Sequence, residues 1–196
     1  MTEAPPVLEF PDAPPLLELP GNAKINKKQN KEYKYQERLY VECLLEMNVA
    51  LYPTQIGQQK TKDNLLKTIA DKIEGKCIRE GYVQPKSVVV QTYSCGIVKS
   101  DFVEFTVVFK CYVSNPAEGT NIRCKIKSIT KAGIHAHAHD MAGNIPVTVF
   151  VARDHFVEHP SFQKCKEEEE IYIKVIGSRF ELNDESIEAL GELIQQ

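Results

Sequence analysis

Between Asn121 and Asp140, polar and apolar residues alternate in two runs, Ile122–Ile129 and Ile134–His139, joined by a Thr130–Gly133 turn. In the first run Arg123, Lys125 and Lys127 alternate with Ile122, Cys124 and Ile126. In the second, His135, His137 and His139 alternate with Ile134, Ala136 and Ala138. A period of two marks an extended strand with one buried face, so a hairpin is expected, apolar on one side and basic on the other. Gly133 is expected to take a positive φ at the turn, with Lys131 beside it. Ammonium groups suit phosphates and flat imidazoles suit bases, so the polar face fits a nucleic-acid strand; a merely solvated sheet face is the competing reading.

Composition narrows what such a face can serve. The 196 residues hold one large domain or two small ones once tails are subtracted, and a 42% apolar share is ample for a core. The formal net charge is −3, so any nucleic-acid binding must come from a local patch. No apolar run approaches the roughly 20 residues of a membrane span, and no membrane partner is expected. No charged stretch followed by an apolar one opens the sequence, so secretion is not expected either. Six cysteines at 43, 77, 95, 111, 124 and 165 form no Cys-x-x-Cys pair and read as buried thiols of an intracellular, reducing compartment.

Residues 1–38 read as a tail. Six of the eleven prolines fall in Met1–Gly21, among Leu, Phe and acidic residues, and such a segment cannot build a sheet or helix of its own. It is either disordered or an acidic-apolar motif that docks on a partner. A basic arm follows, with Lys24, Lys27, Lys28, Lys31, Lys34 and Arg38. Residues 39–116 read as an α+β domain: a strand over Leu39–Asn48, an irregular turn over Ala50–Gly57, then an amphipathic helix over Gln58–Glu74. Leu65, Leu66, Ile69, Ala70 and Ile73 share one side of that helix, and Gly75 is its C′ cap. An antiparallel meander follows around Cys77–Val83, Ser87–Tyr93 and Phe102–Val113.

Residues 117–196 read as all-β. After the hairpin come a turn at Met141–Asn144 and a strand at Val147–Val151. The longer connection Arg153–Lys166 has a helical turn expected around His155–Glu158. A fourth strand follows over Ile171–Ile176 with a kink at Gly177, and a fifth strand, or a strand breaking into helix, over Ser186–Ile194. Five strands with the long connection between the third and fourth match an OB barrel, which binds single strands on its second and third strands. Lys125, Lys127, Lys131 and Arg153 are then the candidates for phosphates. His135, His137 and Phe150 are the candidates for stacking on bases.

Four stretches carry a resemblance. Leu51-Tyr52-Pro53-Thr54-Gln55-Ile56-Gly57 is similar to a Leu-x-Pro-x-x-x-Gly turn, and Lys72-Ile73-Glu74-Gly75-Lys76-Cys77 to a helix end with Val-Glu-Gly. Glu118-Gly119 with Lys131-Ala132-Gly133 resembles the opening of a ribosomal S-one-type barrel. Ile173-Lys174-Val175-Ile176-Gly177-Ser178-Arg179 resembles a late strand with Lys-Ile-Val-Gly-Thr-Arg. Their order over Leu39–Leu193 resembles the stalk subunit of multisubunit DNA-directed RNA polymerases, subunit seven of the eukaryotic enzymes and its archaeal counterpart. The resemblance implies a non-catalytic subunit that docks near the clamp of the polymerase core with a smaller helical companion and guides single-stranded nascent RNA. Docking is then expected through Pro53, Ile56, Gly57, Gly96, Ile97, Val98 and Phe102, where glycines allow close approach and apolar side chains anchor. The family's glycine-rich tip keeps only Gly96 here, and His135 stands where an aromatic is usual. Such divergence suits a polymerase of a large DNA virus. The resemblance thus places the chain in a nucleus or, for a viral polymerase, in a viral factory or virion. A free-standing single-stranded RNA-binding or translation factor is the alternative.

Other chemistry finds less support. His135, His137, His139 and Asp140 invite a metal, but a structural zinc site needs further ligands that no neighbouring Cys pair supplies. No nucleophile elbow, phosphate-cradling loop or His-Glu-x-x-His helix appears, so no catalytic residue and no cofactor is assigned. Asp154/His155 and Glu158/His159 read as surface pairs. The acidic run Glu167–Glu170 is expected to lie away from the nucleic-acid path or to face a basic partner.

Overall fold

A computed structural model describes residues 39–57, 60–153 and 165–194. The proline-rich tail, the basic arm, the expected start of the helix at Gln58, and the pairs and turn expected around His155–Glu158 lie outside these residues.

The N-terminal region has strands and one helix. Strands β1 (Val41–Leu51) and β6 (Phe102–Ser114) pair antiparallel along their length, from Val41 opposite Val113 to Leu51 opposite Val103. The short strands β2 (Cys77–Ile78), β3 (Gly81–Val83), β4 (Val89–Tyr93) and β5 (Ile97–Lys99) complete a six-stranded sheet, ordered β1-β6-β3-β2 with β4 and β5 also on β6. Helix α1 (Lys60–Ile73) buries Leu65, Ile69 and Ile73, one residue per turn, in a cluster with Val49, Leu51, Val90, Phe105, Val107 and Phe109. Each such side chain contributes roughly 1.5–3 kcal/mol by leaving water. Past the helix Gly75 takes φ +70° and its N–H donates to Val83 O at 3.0 Å. The Glu74 carboxylate accepts from the backbone N–H of Lys86 (2.8 Å) and Val88 (3.0 Å), tying the helix end to the approach to β4.

Several expectations change here. The first strand runs on to Leu51, so Ala50 and Leu51 belong to it and not to the turn; pairing with β6 continues because Val49 and Leu51 are buried. Cys77–Val83 is a tight hairpin of two strands that turns at Arg79–Glu80, with Gly81 opening the second strand at φ +137°. Inside the Ser94–Asp101 loop Ile97–Lys99 forms β5 against the start of β6. Leu66 sits at the rim of the helix's apolar side, 37% exposed. Of the six free thiols Cys77, Cys111 and Cys124 are buried, whereas Cys95 is exposed and Cys43 and Cys165 are half-buried. Burial pushes the thiols of Cys77 and Cys111 up to about 11 and that of Cys124 to about 12.

The C-terminal half is a closed barrel of β7 (Asn121–Ile129), β8 (Gly133–Ala138), β9 (Val147–Ala152), β10 (Glu170–Arg179) and β11 (Ile187–Leu193). Around the barrel the order is β7-β8-β9-β11-β10, with β9 and β11 parallel and the other pairs antiparallel, an arrangement compatible with an OB barrel. The interior holds the inward set of the alternating pattern: Ile122, Cys124, Ile126, Ile134, Ala136, Ala138, Val147, Val149, Val151, Ile173, Val175 and Ile187. The last segment is a strand and does not break into helix.

Gly133 departs from its expected conformation. It is not among the positive-φ residues and stands inside β8, where a Cβ would collide with Val151 O and lie 2.9 Å from Phe150 Cζ. The position needs glycine for space, because the Val151 carbonyl and then the Phe150 ring occupy the place of a Cβ. Gly177 does not end its strand. The register shifts between Val175 and Gly177, leaving Ile176 as an extra residue, and β10 continues to Arg179.

A polar seam joins the two halves. The Asp140 carboxylate, in a residue 6% exposed, accepts from Tyr40 Oη (3.2 Å), Gln84 Nε2 (3.4 Å), and the backbone N–H and Nδ2 of Asn144 (both 2.8 Å). Beside it the backbone of Cys77 donates to Asp184 O and accepts from Asn183 N–H, both at 2.8 Å. Cys77, Tyr82 and Tyr40 pack into the barrel's own apolar cluster.

Candidate nucleic-acid interface

Strand pairing sorts the outward side chains of the barrel into two transverse rows. One runs Ser128, His135, Phe150, Leu190, Gly177, each opposite the next on the neighbouring strand. The second runs Lys125, His137, Thr148, Glu188, Arg179 by the same pairings. The first row is largely apolar although it lies outside the barrel, and Leu190 is 54% exposed. Between the rows opens a groove of about 570 Å³ lined by His135, Thr148, Phe150, Gly177, Arg179 and Leu190, among others.

His135 and Phe150 are in ring contact, their centroids 4.7 Å apart with planes tilted by 49°. Phe150 is half-buried, held by His135 on one side and by the space over Gly133 on the other. Strict alternation from Ile122 would turn Ser128 inward. A bulge between Ile126 and Ser128 instead makes Lys127 an extra residue and turns Ser128 out beside His135. Lys127 and Lys131 are exposed, and among the described residues neither has an ion-pair partner. Arg153 is exposed at the tip of the hairpin, its backbone N–H bonded to Ala132 O at 2.9 Å and its guanidinium 3.5 Å from Thr130 O.

The remaining basic residues are engaged within the chain. Lys125 pairs with Glu168, and Arg123 with Glu170 at 3.3 Å. The acidic run therefore does not lie away from the basic face. Pairing of β10 with β7, Glu170 opposite Lys125, brings it alongside. The basic partner that it faces is the chain's own hairpin.

His137 sits opposite Lys125, its ring 6.0 Å from that of His139. Its imidazole is held below the ordinary histidine value, first by desolvation and then by the charges of Lys127, His139 and His135. That shift favours the uncharged ring at neutral pH, the form suited to stacking. Because the unfolded chain takes up this proton first, the His137 contribution lowers stability as pH falls below the ordinary value of 6.5. Lys127→Gln removes one of the opposing charges, so the His137 titration followed by NMR is expected to move up toward the ordinary histidine value. An unmoved titration would place the Lys127 ammonium away from this ring. Asp140 takes no part with the histidines, being engaged by Tyr40, Gln84 and Asn144, and among the described residues no three metal-ligating side chains are gathered.

The expected docking residues collect at one end of the N-terminal sheet. Val103, opposite Leu51 on one side and Val98 on the other, ties the end of β1 and the β5 hairpin to the start of β6. Ile97 and Val98 stand 61% and 76% exposed, and Ile56 38%, beyond a turn of 3-10 helix at Pro53–Gln55. Phe102 is half-buried opposite Lys99. A Cβ on Gly96 would collide with Val103 and lie 2.9 Å from Phe105, so this glycine serves packing within the sheet; Gly57 has open space around it.

Sequence reasoning does not single out Thr148, Leu190, Gly177 and Arg179 as groove residues. Leu190 carries a legible signal all the same: it occupies the outward phase of its strand between Glu188 and Glu192, where a polar residue is the norm. No helix among the described residues is long and apolar enough to cross a membrane. The chain matches no protein-family model and no curated protein.

Proposed function

We propose that the chain is a non-catalytic stalk subunit of a DNA-directed RNA polymerase whose barrel holds single-stranded nascent RNA on its outer face. The observation that carries the RNA reading is the strip His135–Phe150–Leu190. It keeps aromatic and apolar surface in water beside a groove, flanked by the exposed ammonium groups of Lys127 and Lys131. Flat apolar surface next to available cations is what an unstacked base on a phosphate chain requires. The polymerase reading is supported by the resemblance over Leu39–Leu193 and by exposed Ile56, Ile97 and Val98 at one end of the sheet, anchors for a docking domain of α+β type over residues 39–116. A tagged chain recovered from its native cells should bring the large polymerase subunits with it, and the purified chain should bind an oligouridylate. Binding of the oligouridylate without recovery of polymerase would favour a free-standing RNA-binding or translation factor. Loss of both would overturn the proposal.

A further inference from the structure

The acidic segment ahead of β10 is built onto the basic strand, not merely near it. Ile126 N–H donates to Glu169 O at 2.9 Å, and Ile126 O accepts from Glu168 N–H at 3.0 Å. Glu169 closes the turn by accepting from Lys166 N–H through Oε2 at 2.9 Å. Glu168 itself stands at φ +68°, in the left-handed region that favours glycine over a residue with a side chain. Backbone bonds therefore hold its carboxylate against the Lys125 ammonium, while Glu170, one step into the strand, meets the Arg123 guanidinium. The pairing is selective along β7: Arg123 and Lys125 face carboxylates, whereas among the described residues none is paired with Lys127, the bulged residue.

We propose that Glu168 and Glu170 act as an intramolecular stand-in for phosphates, so that RNA on the barrel face must displace them to engage Lys125 and Arg123. This inference rests on the RNA reading of the same face and adds its regulation. RNA arriving at the wild-type barrel meets Lys127 and Lys131 first. The two screened cations join only when a phosphate outcompetes a carboxylate already in place. Binding is then weaker and less steeply salt-dependent than the number of basic residues on the face implies. A basic protein partner that drew off the carboxylates would tighten it.

The test is fluorescence anisotropy of a labelled oligouridylate of about 12 nucleotides, within the site size of an OB barrel. The full chain is compared with Glu168→Gln/Glu170→Gln, and with Glu168→Gly, which removes the carboxylate while relaxing the backbone. The double variant is expected to bind about threefold to tenfold tighter at ~50 mM salt, an advantage that fades by ~500 mM. Its plot of log affinity against log salt should steepen by up to ~1.4, about 0.7 for each cation released to a phosphate. Glu168→Gly should show about half that change. The charge-matched control Glu46→Gln/Glu80→Gln, both exposed on the other half, should leave the slope unaltered. If the wild type binds and the double variant binds with the same slope, or if the control steepens it equally, the gating is wrong and the RNA face stands. If only the double variant binds, the gate is supported and is tight. If no form binds at ~50 mM salt, the RNA reading falls and the gate falls with it.

Discussion

Phe150→Ala is expected to weaken oligouridylate binding by about 1–3 kcal/mol, roughly fivefold to 150-fold, while leaving its salt dependence nearly unchanged. The ring carries no charge, so its loss removes stacking area and no counterion release. It lies outside the barrel, over Gly133 and against His135, so truncation should cost about 1 kcal/mol of folding stability and not the 3–5 typical of a core phenylalanine. Thermal melting run beside the RNA titration separates the two. A fall in melting temperature on the core scale, with weaker binding in proportion, would mean that the ring serves the fold and that RNA contact rests on charge. An unaltered affinity in a well-folded variant would remove the aromatic strip from the interface.

The second large effect is structural. Asp140→Ala is expected to destabilise the chain by about 3 kcal/mol, because the four donors from Tyr40, Gln84 and Asn144 lose their acceptor in a place nearly closed to water. Tyr40 is the worst affected. Burial first, and the Asp140 carboxylate second, hold its hydroxyl protonated well above the ordinary tyrosine range, and its only side-chain partner among these bonds would be gone. Asp140→Asn keeps an acceptor oxygen for Asn144 N–H and should recover part of the loss. Urea unfolding measures both. Since Tyr40 and Gln84 belong to one half and Asp140 to the other, the Ala variant should also blur or split the transition. A single sharp transition displaced by less than ~1 kcal/mol would show that water replaces the carboxylate.

The alternation in residues 121–139 is enough to read the barrel's first hairpin, its inward set and the outward placing of His135, because a period of two leaves one way to bury Ile122, Cys124 and Ile126. Phe150 follows from the same period in its own strand. The helix face is legible for the same reason at a period of 3.6, down to the cap at Gly75. What the sequence hides are events of long range. The bulge that turns Ser128 outward depends on the partner strand, and β5 exists only because the start of β6 offers it an edge. The pairing of Glu168 and Glu170 with Lys125 and Arg123 joins residues more than forty positions apart. Asp140 stands in sequence beside the histidines as a ligand candidate, and nothing local announces that Tyr40, a hundred residues earlier, claims it. Gly133 sits where the turn pattern puts a glycine, but its reason is the backbone and the ring of another strand and not its own dihedral angle.

The placing of β11 between β9 and β10 has a kinetic consequence. The β7–β8–β9 meander is joined by short loops and can form within microseconds to milliseconds, but it cannot close by itself. Closure waits for β10 to reach back to β7 and for β11, latest of the barrel strands in the chain, to slot in parallel to β9. Until then β9 and β10 each present an open edge, and Val149 and Ile173 lack the cover that the inward face of β11 supplies at Ile187, Ala189 and Gly191. That interval is when a neighbouring copy can pair with the wrong edge. The strand that ends the exposure also brings Leu190 to the side of Phe150, so the groove and the sealed barrel are finished in one event.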